Sequence, residues 1–344
     1  MVNRSAVTMT PAPEDAFLTT FIGSAALSLA LRSGLVDKLG QGPQQAAALA
    51  ATAKLDPRGV DLLAGLLESA GIITRQAGTL RLTPAFAAIL PRRAALESKL
   101  AFLDLAARDV LDHLPEMLFD TPAYVGSGKV FELFRYDRAA TTSPEDLAAT
   151  QRWLDYTTAL TEHEAPLLAP LMALETTARL LDIGGNSGAF VRALCAVNPA
   201  LKATVLDLPA VTELGRRYLA GTPEAARIDF ITADARRDPL SPGYDAISFK
   251  SVLHDWPEPD ARQLVTRARD ALPSGGRLFI VERGAFAPGS APLPYAAAAN
   301  LVFARFYRPP SAYAELLGEL GFGDISVQTV DIEMPFHVIA GRRS

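Results

Sequence analysis

The chain has 344 residues, of which 49% are hydrophobic and 21% charged, and its formal net charge is −5. This composition is typical of a folded protein rather than a disordered one, and the length allows two domains. The acidic balance argues against nucleic acid as the main partner, because phosphate binding needs clustered positive charge. One cysteine excludes an internal disulfide, and with four scattered histidines it argues against a structural zinc site.

The first 100 residues are predicted to be mostly helical. Residues 1–15 lack the apolar segment of a signal peptide and are expected to form a flexible tail. The apolar stretch that follows, at the start of segment 17–35, is too short to span a bilayer, so we expect a cytoplasmic protein without a membrane partner. Segments 44–53 and 58–70 have the spacing of two short amphipathic helices, and 72–82 has the pattern of a β-hairpin.

Helix, turn, helix and hairpin in this order predict a winged helix within residues 16–100. A DNA-binding winged helix needs a second helix rich in Arg, Lys, Asn or Gln. Segment 58–70 instead carries Asp61 and Glu68 against a single arginine. This composition favours protein–protein contacts and makes 17–35 a candidate dimerisation helix, with an ordinary core helix as the alternative.

Residues 101–174 continue the helical pattern, with an irregular stretch expected around 122–129. From residue 175 onward, short β-type runs alternate with helices, which predicts an α/β fold with a mostly parallel sheet covered on both faces. The last two runs should pair in antiparallel fashion because no helix separates them. The expected strands are 179–183, 203–207, 228–232, 246–250, 277–282, 325–330 and 337–340.

A glycine-rich turn follows the first of these strands. Gly184 and Gly185 let the backbone turn sharply and approach a ligand that a Cβ would exclude. Such a turn alone is a weak signal, because dinucleotide enzymes use one too. The spacing departs from G-x-G-x-x-G, and Asp182 at the strand end would repel phosphate but suit an ammonium group. These details favour a nucleoside without a pyrophosphate.

Two more acidic residues follow the next strands. Asp207, with Leu208 after it, stands about 20 positions beyond the glycines, where a carboxylate binds a ribose diol. Asp234, followed by Ala235, offers a carboxylate near an adenine. Helix capping is the alternative for any one of these aspartates, but three at successive strand ends favour a nucleoside site.

Five segments in this order and spacing resemble the O-methyltransferases of plant and bacterial secondary metabolism, of the caffeic acid and hydroxyneurosporene type: LLDIGGNSG, TVLDLP, FITADARRDPL, ISFKSVLHDWPEPDARQLVTRARDAL and GRLFIVERG. The resemblance covers the chain from about residue 17 to the end. It implies a Rossmann-like, seven-stranded methyltransferase domain at 175–344 and an N-terminal winged-helix domain that forms a homodimer. It also implies that S-adenosylmethionine is the cofactor, S-adenosylhomocysteine its product, and that no metal is used. The candidate cofactor residues are Asp182, Gly184, Gly185, Asp207, Leu208, Asp234, Ala235, Lys250 and Trp256.

His254, in K-x-x-x-H-D-W, stands at the position that removes the acceptor's proton in this family. Such a base is needed because a neutral phenol is a poor nucleophile, and imidazole titrates in the right range. Glu282 matches the carboxylate that orients this histidine. Asp255 is expected to cap or orient, and Trp256 to pack or to stack on the adenine. The alternatives are a structural histidine and a surface salt bridge between Glu282 and Arg283.

The sequence departs from the family before its last helix. Members usually carry Gly-Lys-Glu-Arg there, and the glutamate is a second partner of the histidine. Tyr307 stands in place of that glutamate, Arg308 keeps the arginine, and the usual upstream aspartate is missing. Tyr307 can form a hydrogen bond but supplies no negative charge at neutral pH, which leaves room for C- or N-methylation.

The sequence therefore predicts methyl transfer from S-adenosylmethionine to a hydroxyl of a small aromatic acceptor, with His254, Glu282 and Tyr307 at the catalytic site. The acceptor should be selected by helices in 101–174 and by segment 303–313. Two alternatives stay open: use of the cofactor without methyl transfer, and a winged-helix regulator that senses it. The candidate acceptor residues are Trp153, Tyr156, Phe303 and Phe306.

Overall fold

The computed structural model describes residues 3–4, 13–18, 21–285, 293–332 and 334–344. Helices and a small three-stranded sheet come first, and an eight-stranded sheet flanked by helices follows. In these ranges we find no helix with the length and apolar character needed to cross a membrane.

The helices are α1 (Phe21–Arg32), α2 (Leu35–Gly40), α3 (Ala46–Ala53), α4 (Pro57–Ser69), α5 (Pro84–Ile89), α6 (Arg93–Phe119), α7 (Thr121–Ser127), α8 (Lys129–Leu133), α9 (Pro144–Leu168), α10 (Ala189–Val197), α11 (Pro209–Leu219), α12 (Glu258–Ala271), α13 (Tyr295–Ala299) and α14 (Pro310–Glu319). The strands are β1 (Asn3–Arg4), β2 (Gln44–Gln45), β3 (Ile73–Gln76), β4 (Thr79–Leu82), β5 (Arg179–Ile183), β6 (Lys202–Asp207), β7 (Ile228–Thr232), β8 (Ala246–Lys250), β9 (Arg277–Arg283), β10 (Phe322–Ile332) and β11 (Met334–Arg343).

The N-terminal elements follow the expected order. The segment predicted at 17–35 divides into α1 and α2 at Gly34, whose φ of 74° is a conformation that glycine adopts without a steric penalty. α4 begins at Pro57 after Asp56, whose carboxylate caps the first turn. β3 and β4 form the expected hairpin, and β2 pairs with β4.

The flexible tail expected at 1–15 lies mostly outside the described residues. Its described part is attached to the fold: β1 pairs in parallel with β10, and Glu14 and Asp15 are buried. The ammonium nitrogen of Lys99 lies 2.8 Å from a carboxylate oxygen of Asp15 and 3.5 Å from one of Glu14. Composition does not reveal such an attachment, since it depends on a cation 84 residues away.

Residues 122–129, expected to be irregular, are largely helical instead, in α7 and the start of α8. Pro122 lies in the first turn of α7, where its missing N–H has no helical partner to lose, and Asp120 caps that turn. The irregular connection lies further on, between α8 and α9. It contains a 3-10 turn at Tyr136–Ala139.

The large sheet has the strand order β1-β10-β11-β9-β8-β5-β6-β7. The five strands from β5 to β9 are parallel, and β10 and β11 pair in antiparallel fashion, so all seven expected strands are confirmed. The two-residue β1 is an eighth strand that the sequence did not indicate. Apolar clusters fill both faces, one including Phe190 and Val281 and the other Phe249 and Val265. Because the strand order reverses at β5, the carboxyl ends of β5, β6 and β8 form the crevice where α/β sheets bind ligands.

Candidate active site

A cleft opens at the carboxyl ends of β5, β6 and β8, with a volume of about 1350 Å³ including its solvent-filled mouth, and α9 forms one of its walls. Most of the residues expected to bind cofactor or acceptor, or to react, line this cleft. Glu282 lies behind His254, and Phe306 packs against Phe131 and Phe303 outside the lining. The expected residues in the lining are Trp153, Tyr156, Asp182, Gly184, Gly185, Asp207, Leu208, Asp234, Ala235, Lys250, His254, Trp256, Phe303 and Tyr307.

The glycine turn joins β5 to α10. Gly184 has a φ of 69°, and a Cβ there would lie 2.8 Å from a methyl carbon of Val252. A Cβ on Gly185 would lie 2.7 Å from Oδ2 of Asp182. Both positions therefore need glycine, and the bare backbone lies open to the cleft.

Asp182, at the end of β5, is fully buried. Its Oδ1 accepts a hydrogen bond of 2.5 Å from the hydroxyl of Ser248. Its Oδ2 is buried and has no hydrogen-bond partner among the described residues. Burial raises the pKa of Asp182 to about 7. A carboxylate in this state is stabilised by a cationic donor, so the site fits an ammonium group.

Asp207, at the end of β6, is held by two backbone groups. Oδ2 accepts from the N–H of Asn186 at 2.9 Å, and Oδ1 accepts from the N–H of Leu208 at 2.8 Å. Burial raises the pKa of Asp207 to about 6. Because each carboxylate oxygen can accept a second hydrogen bond, this geometry suits a vicinal diol.

Asp234 and Trp256 are linked by a residue that the sequence did not single out. Both carboxylate oxygens of Asp234 accept from Arg236, at 2.9 and 2.8 Å, and these bonds lower the pKa of Asp234. The same guanidinium lies 4.4 Å from the ring centroid of Trp256. The wall expected around an adenine therefore consists of three interacting side chains.

Lys250 belongs to a buried charge cluster with α9. Its ammonium lies 2.6 Å from Glu164 and 3.0 Å from the hydroxyl of Thr161. Arg283 also binds Glu164, so the alternative salt bridge between Glu282 and Arg283 does not form. Burial alone would raise the pKa of Glu164, but the two cations lower it to about 2. Glu164, which supports the cleft residue Lys250, does not stand in any of the motifs found in the sequence.

His254 and Glu282 form a buried pair. Nδ1 of the imidazole lies 2.6 Å from Oε2 of Glu282. The other carboxylate oxygen accepts from the backbone N–H groups of Val252 and Leu253, at 3.0 and 2.7 Å. Arg308 donates to the carbonyls of Leu253 and Trp256, so the turn that carries His254 is fixed from both sides.

The other imidazole nitrogen faces a second carboxylate. Nε2 of His254 lies 3.3 Å from Oδ1 of Asp255, and Oδ2 of Asp255 accepts from the hydroxyl of Tyr136 at 2.7 Å. Burial would lower the pKa of His254, but Glu282 and Asp255 outweigh burial and raise the pKa above 6.5. A protonated imidazole is therefore stabilised from both sides.

Tyr307 lies beside this pair, with its ring centroid 5.3 Å from that of His254. Its hydroxyl donates to Oδ1 of Asn300 at 2.8 Å, so it does not bind the imidazole. Burial raises the pKa of Tyr307, which stays neutral. Asn300, in the segment that lacks the family's aspartate, also lines the cleft.

The family model of the O-methyltransferase domain matches residues 107–323. The chain belongs to the S-adenosylmethionine-dependent O-methyltransferase family. Demethylspheroidene O-methyltransferase of Cereibacter sphaeroides, a relative in this family, is 30% identical over 317 residues, covering 89% of this chain and 80% of the relative. The family and the enzyme class predicted from the sequence, a methyltransferase, are thereby confirmed.

Two further similarities have a narrower reach. 3-Hydroxy-5-methyl-1-naphthoate 3-O-methyltransferase of Streptomyces sahachiroi is 41% identical over 115 residues, so the chain spans one third, 33%, of that relative. The O-methyltransferase NcsB1 from neocarzinostatin biosynthesis, solved with S-adenosylmethionine and 2-hydroxy-5-methyl naphthoic acid, has a TM-score of 0.69 and 22% identity, covering 94% of this chain and 97% of that one. The structural likeness confirms the α/β fold class.

Proposed function

We propose that this protein transfers a methyl group from S-adenosylmethionine to a hydroxyl of a small aromatic acceptor, with His254 as the general base. The buried pair of His254 and Glu282 carries the proposal. Its imidazole lies in the same cleft as the glycine turn and Asp207, so a base and a nucleoside site are adjacent. NcsB1, with a similar fold, was solved with this cofactor and an aromatic acid.

The residues present fit the cofactor. The free buried oxygen of Asp182 would accept from its ammonium, Asp207 from its ribose diol, and the backbone at Gly184 and Gly185 would lie against it. Asp234 would reach an adenine only if Arg236 shares or leaves its carboxylate. Leu208, Ala235, Lys250 and Trp256 complete the cofactor side of the cleft.

The cofactor, when bound, supplies a methyl group already activated by its sulfonium. The protein has to align the acceptor and remove its proton. Glu282 on Nδ1 keeps the ring proton there and leaves the lone pair on Nε2, which takes the proton of the acceptor hydroxyl. Glu282 and Asp255 then stabilise the imidazolium.

The acceptor side of the cleft is aromatic. Trp153, Tyr156, Phe303 and Tyr307 line it together with Phe134. Flat aromatic walls with a few polar groups suit a flat aromatic acceptor. The naphthoate named for the Streptomyces sahachiroi relative is such a compound.

We also assign roles along the chain: dimerisation to 16–100, acceptor binding to 101–174 and cofactor binding to 175–344. Phe21 and Ile22 on α1, each 61% exposed, support an apolar contact with a second copy of the chain. No nucleic acid or membrane is needed as a partner for this chemistry, and a cytoplasmic location stays a prediction.

C- or N-methylation is the second candidate, because Tyr307 stands where the family has a glutamate and binds Asn300 instead. A carbon or nitrogen acceptor needs a base placed differently, or none. Mass spectrometry and NMR of the methylated product separate these outcomes from O-methylation.

The first experiment is calorimetric titration with S-adenosylmethionine and S-adenosylhomocysteine, followed by a screen of phenolic acceptors. His254→Ala should lower turnover by more than about 10²-fold with cofactor affinity unchanged. His113→Ala, on α6, is the matched control and should retain activity. Absence of binding by either compound contradicts the cofactor, and activity that survives His254→Ala contradicts the base.

A further inference from the structure

The imidazole nitrogen that should receive the acceptor's proton is not open on all sides. Asp255 Oδ1 lies 3.3 Å from Nε2 of His254, while Glu282 occupies Nδ1. Asp255 is adjacent in sequence, so its carboxylate could rotate away from the ring. A further contact must therefore hold it in place.

That contact comes from a distant segment. The Tyr136 hydroxyl donates to Asp255 Oδ2 at 2.7 Å, across 119 residues of sequence. Tyr136 begins the 3-10 turn between α8 and α9, and its ring centroid lies 5.8 Å from Trp153 and 5.9 Å from Trp256. The two indoles fix the ring, and the ring fixes the carboxylate.

We propose that Tyr136 is a positioning residue whose hydroxyl holds the Asp255 carboxylate against Nε2 of His254, so that the imidazole keeps the proton it takes from the acceptor. In the neutral ring, Nδ1–H donates to Glu282 and the Nε2 lone pair accepts the acceptor's proton. The acceptor's O–H bond breaks and the Nε2–H bond forms, and the positive charge of the resulting imidazolium then lies 3.3 Å from Oδ1 of Asp255. The proposal rests on His254 being the base of the proposed function.

The charges around His254 and Asp255 agree with this role of Tyr136. Burial raises the pKa of Asp255, while His254 and the Tyr136 hydrogen bond oppose the increase. Loss of that bond should let Asp255 take up a proton at higher pH, so that His254 loses one of two negative neighbours and its pKa falls. Burial raises the pKa values of Tyr136, Tyr307 and Tyr313, so these tyrosines stay neutral in this pH range. The other titratable and charged groups around the pair are Glu282, Arg283, Tyr307, Arg308 and Tyr313.

The test is an NMR titration of the histidine side chains in the protein without acceptor. With four histidines in the chain, His254→Ala assigns the signal of interest. Tyr136→Phe should lower the His254 titration midpoint by about 0.5–1 pH unit, and the acid limb of kcat/KM should move by the same amount. Tyr218→Phe, which removes a 2.6 Å hydrogen bond to Glu162 away from the cleft, is the matched control and should change neither.

A double-mutant cycle shows whether Tyr136 acts through Asp255. Asp255→Asn should shift the midpoint in the same direction, and adding Tyr136→Phe to it should produce no further shift. Additive shifts, or a loss of activity with an unmoved midpoint, would overturn the proposal. If Tyr136→Phe fails to fold, Asp255→Asn with an unmoved midpoint overturns it equally. Since the titration needs neither cofactor nor acceptor, its failure is distinguishable from failure of the proposed methyl transfer.

Discussion

Glu282→Gln is the substitution that most directly tests how the site works. Glu282 is fully buried and accepts from the backbone N–H groups of Val252 and Leu253 as well as from His254. A glutamine fits the same volume, and its one oxygen can keep the two backbone hydrogen bonds. Its amide NH₂ then faces Nδ1 of His254, which has to become an acceptor.

The change of Nδ1 from a hydrogen-bond donor to an acceptor should lower kcat. With Nδ1 accepting, the ring proton moves to Nε2, and the nitrogen that should receive the acceptor's proton is already protonated. The variant also lacks the charge that stabilises the imidazolium. We expect kcat to fall by about 10²–10⁴-fold, or about 3–5 kcal/mol in the activation free energy.

The pH dependence should change as well. The carboxylate of Glu282 raises the pKa of His254, so the acid limb of kcat/KM should lie at lower pH in the variant. Burial raises the pKa of Glu282, but His254 and the two backbone bonds outweigh burial and hold it below 4.5. Ionised Glu282 therefore stabilises the wild-type fold above pH 4.5, and this stabilisation is lost as the pH falls through the lowered pKa of Glu282. The stability of the Glu282→Gln variant should not show this change with pH.

The assay is the rate of S-adenosylhomocysteine formation with an acceptor found in the screen, measured from about pH 5 to about pH 9. Glu213→Gln on α11, which removes an exposed i,i+4 pair with Arg217, is the control and should leave the profile unchanged. An unchanged kcat for Glu282→Gln, or an acid limb that does not move, refutes the orienting role.

Two further predictions concern the cofactor turn and the charge cluster. Gly185→Ala places a Cβ 2.7 Å from an oxygen of Asp182, so the affinity for the cofactor, measured by calorimetry, should fall at least about 10-fold. The control is Gly65→Ala on α4, which has open space around it; it should leave cofactor affinity unchanged and should leave the stability of the protein unchanged or raise it by about 0.5–1 kcal/mol. Equal cofactor affinities of the two variants would contradict the role of the glycine turn. Glu164→Gln leaves two buried cations without their carboxylate, so the free energy of unfolding, measured by thermal denaturation, should fall by about 3–5 kcal/mol. The control, Glu319→Gln, removes an exposed ion pair and should lower it by at most about 1 kcal/mol. A similarly small decrease for Glu164→Gln would contradict a stabilising role of the charge cluster.

The sheet could be predicted because each of its strands carries a local signal. Buried apolar runs such as 179–183 and 246–250 are bounded by turn residues, and both strands have the expected bounds. The turn after β5 could also be predicted, because Gly184 and Gly185 lie too close to Val252 and Asp182 for any residue with a Cβ. The prediction of an irregular stretch at 122–129 is wrong because, in a sequence, a proline in the first turn of a helix resembles a proline that breaks one.

The parts of the site that sequence did not reveal depend on contacts between distant segments. Tyr136 reaches Asp255 across 119 residues, and Glu164 reaches Lys250 across 86. Neither residue stands in a motif, and neither has a local spacing that distinguishes it from a helix-surface or loop residue. The packing of α9 and its preceding turn against the sheet brings Tyr136 to the cleft and Glu164 to Lys250, which lines it.

The surroundings of His254 also show how the site differs from the family's at Tyr307, which replaces a glutamate. A base that accepts a proton in a buried site needs negative charge nearby, and Tyr307 supplies none because its hydroxyl is neutral and donates to Asn300. Two carboxylates nevertheless flank the imidazole, Glu282 at Nδ1 and Asp255 at Nε2. His254, the proposed base, therefore has a second anionic neighbour even though Tyr307 replaces the family's glutamate. The site can therefore still remove a proton from a hydroxyl group. We expect Tyr307, which lines the cleft, to affect which acceptor fits there more than it affects removal of the proton.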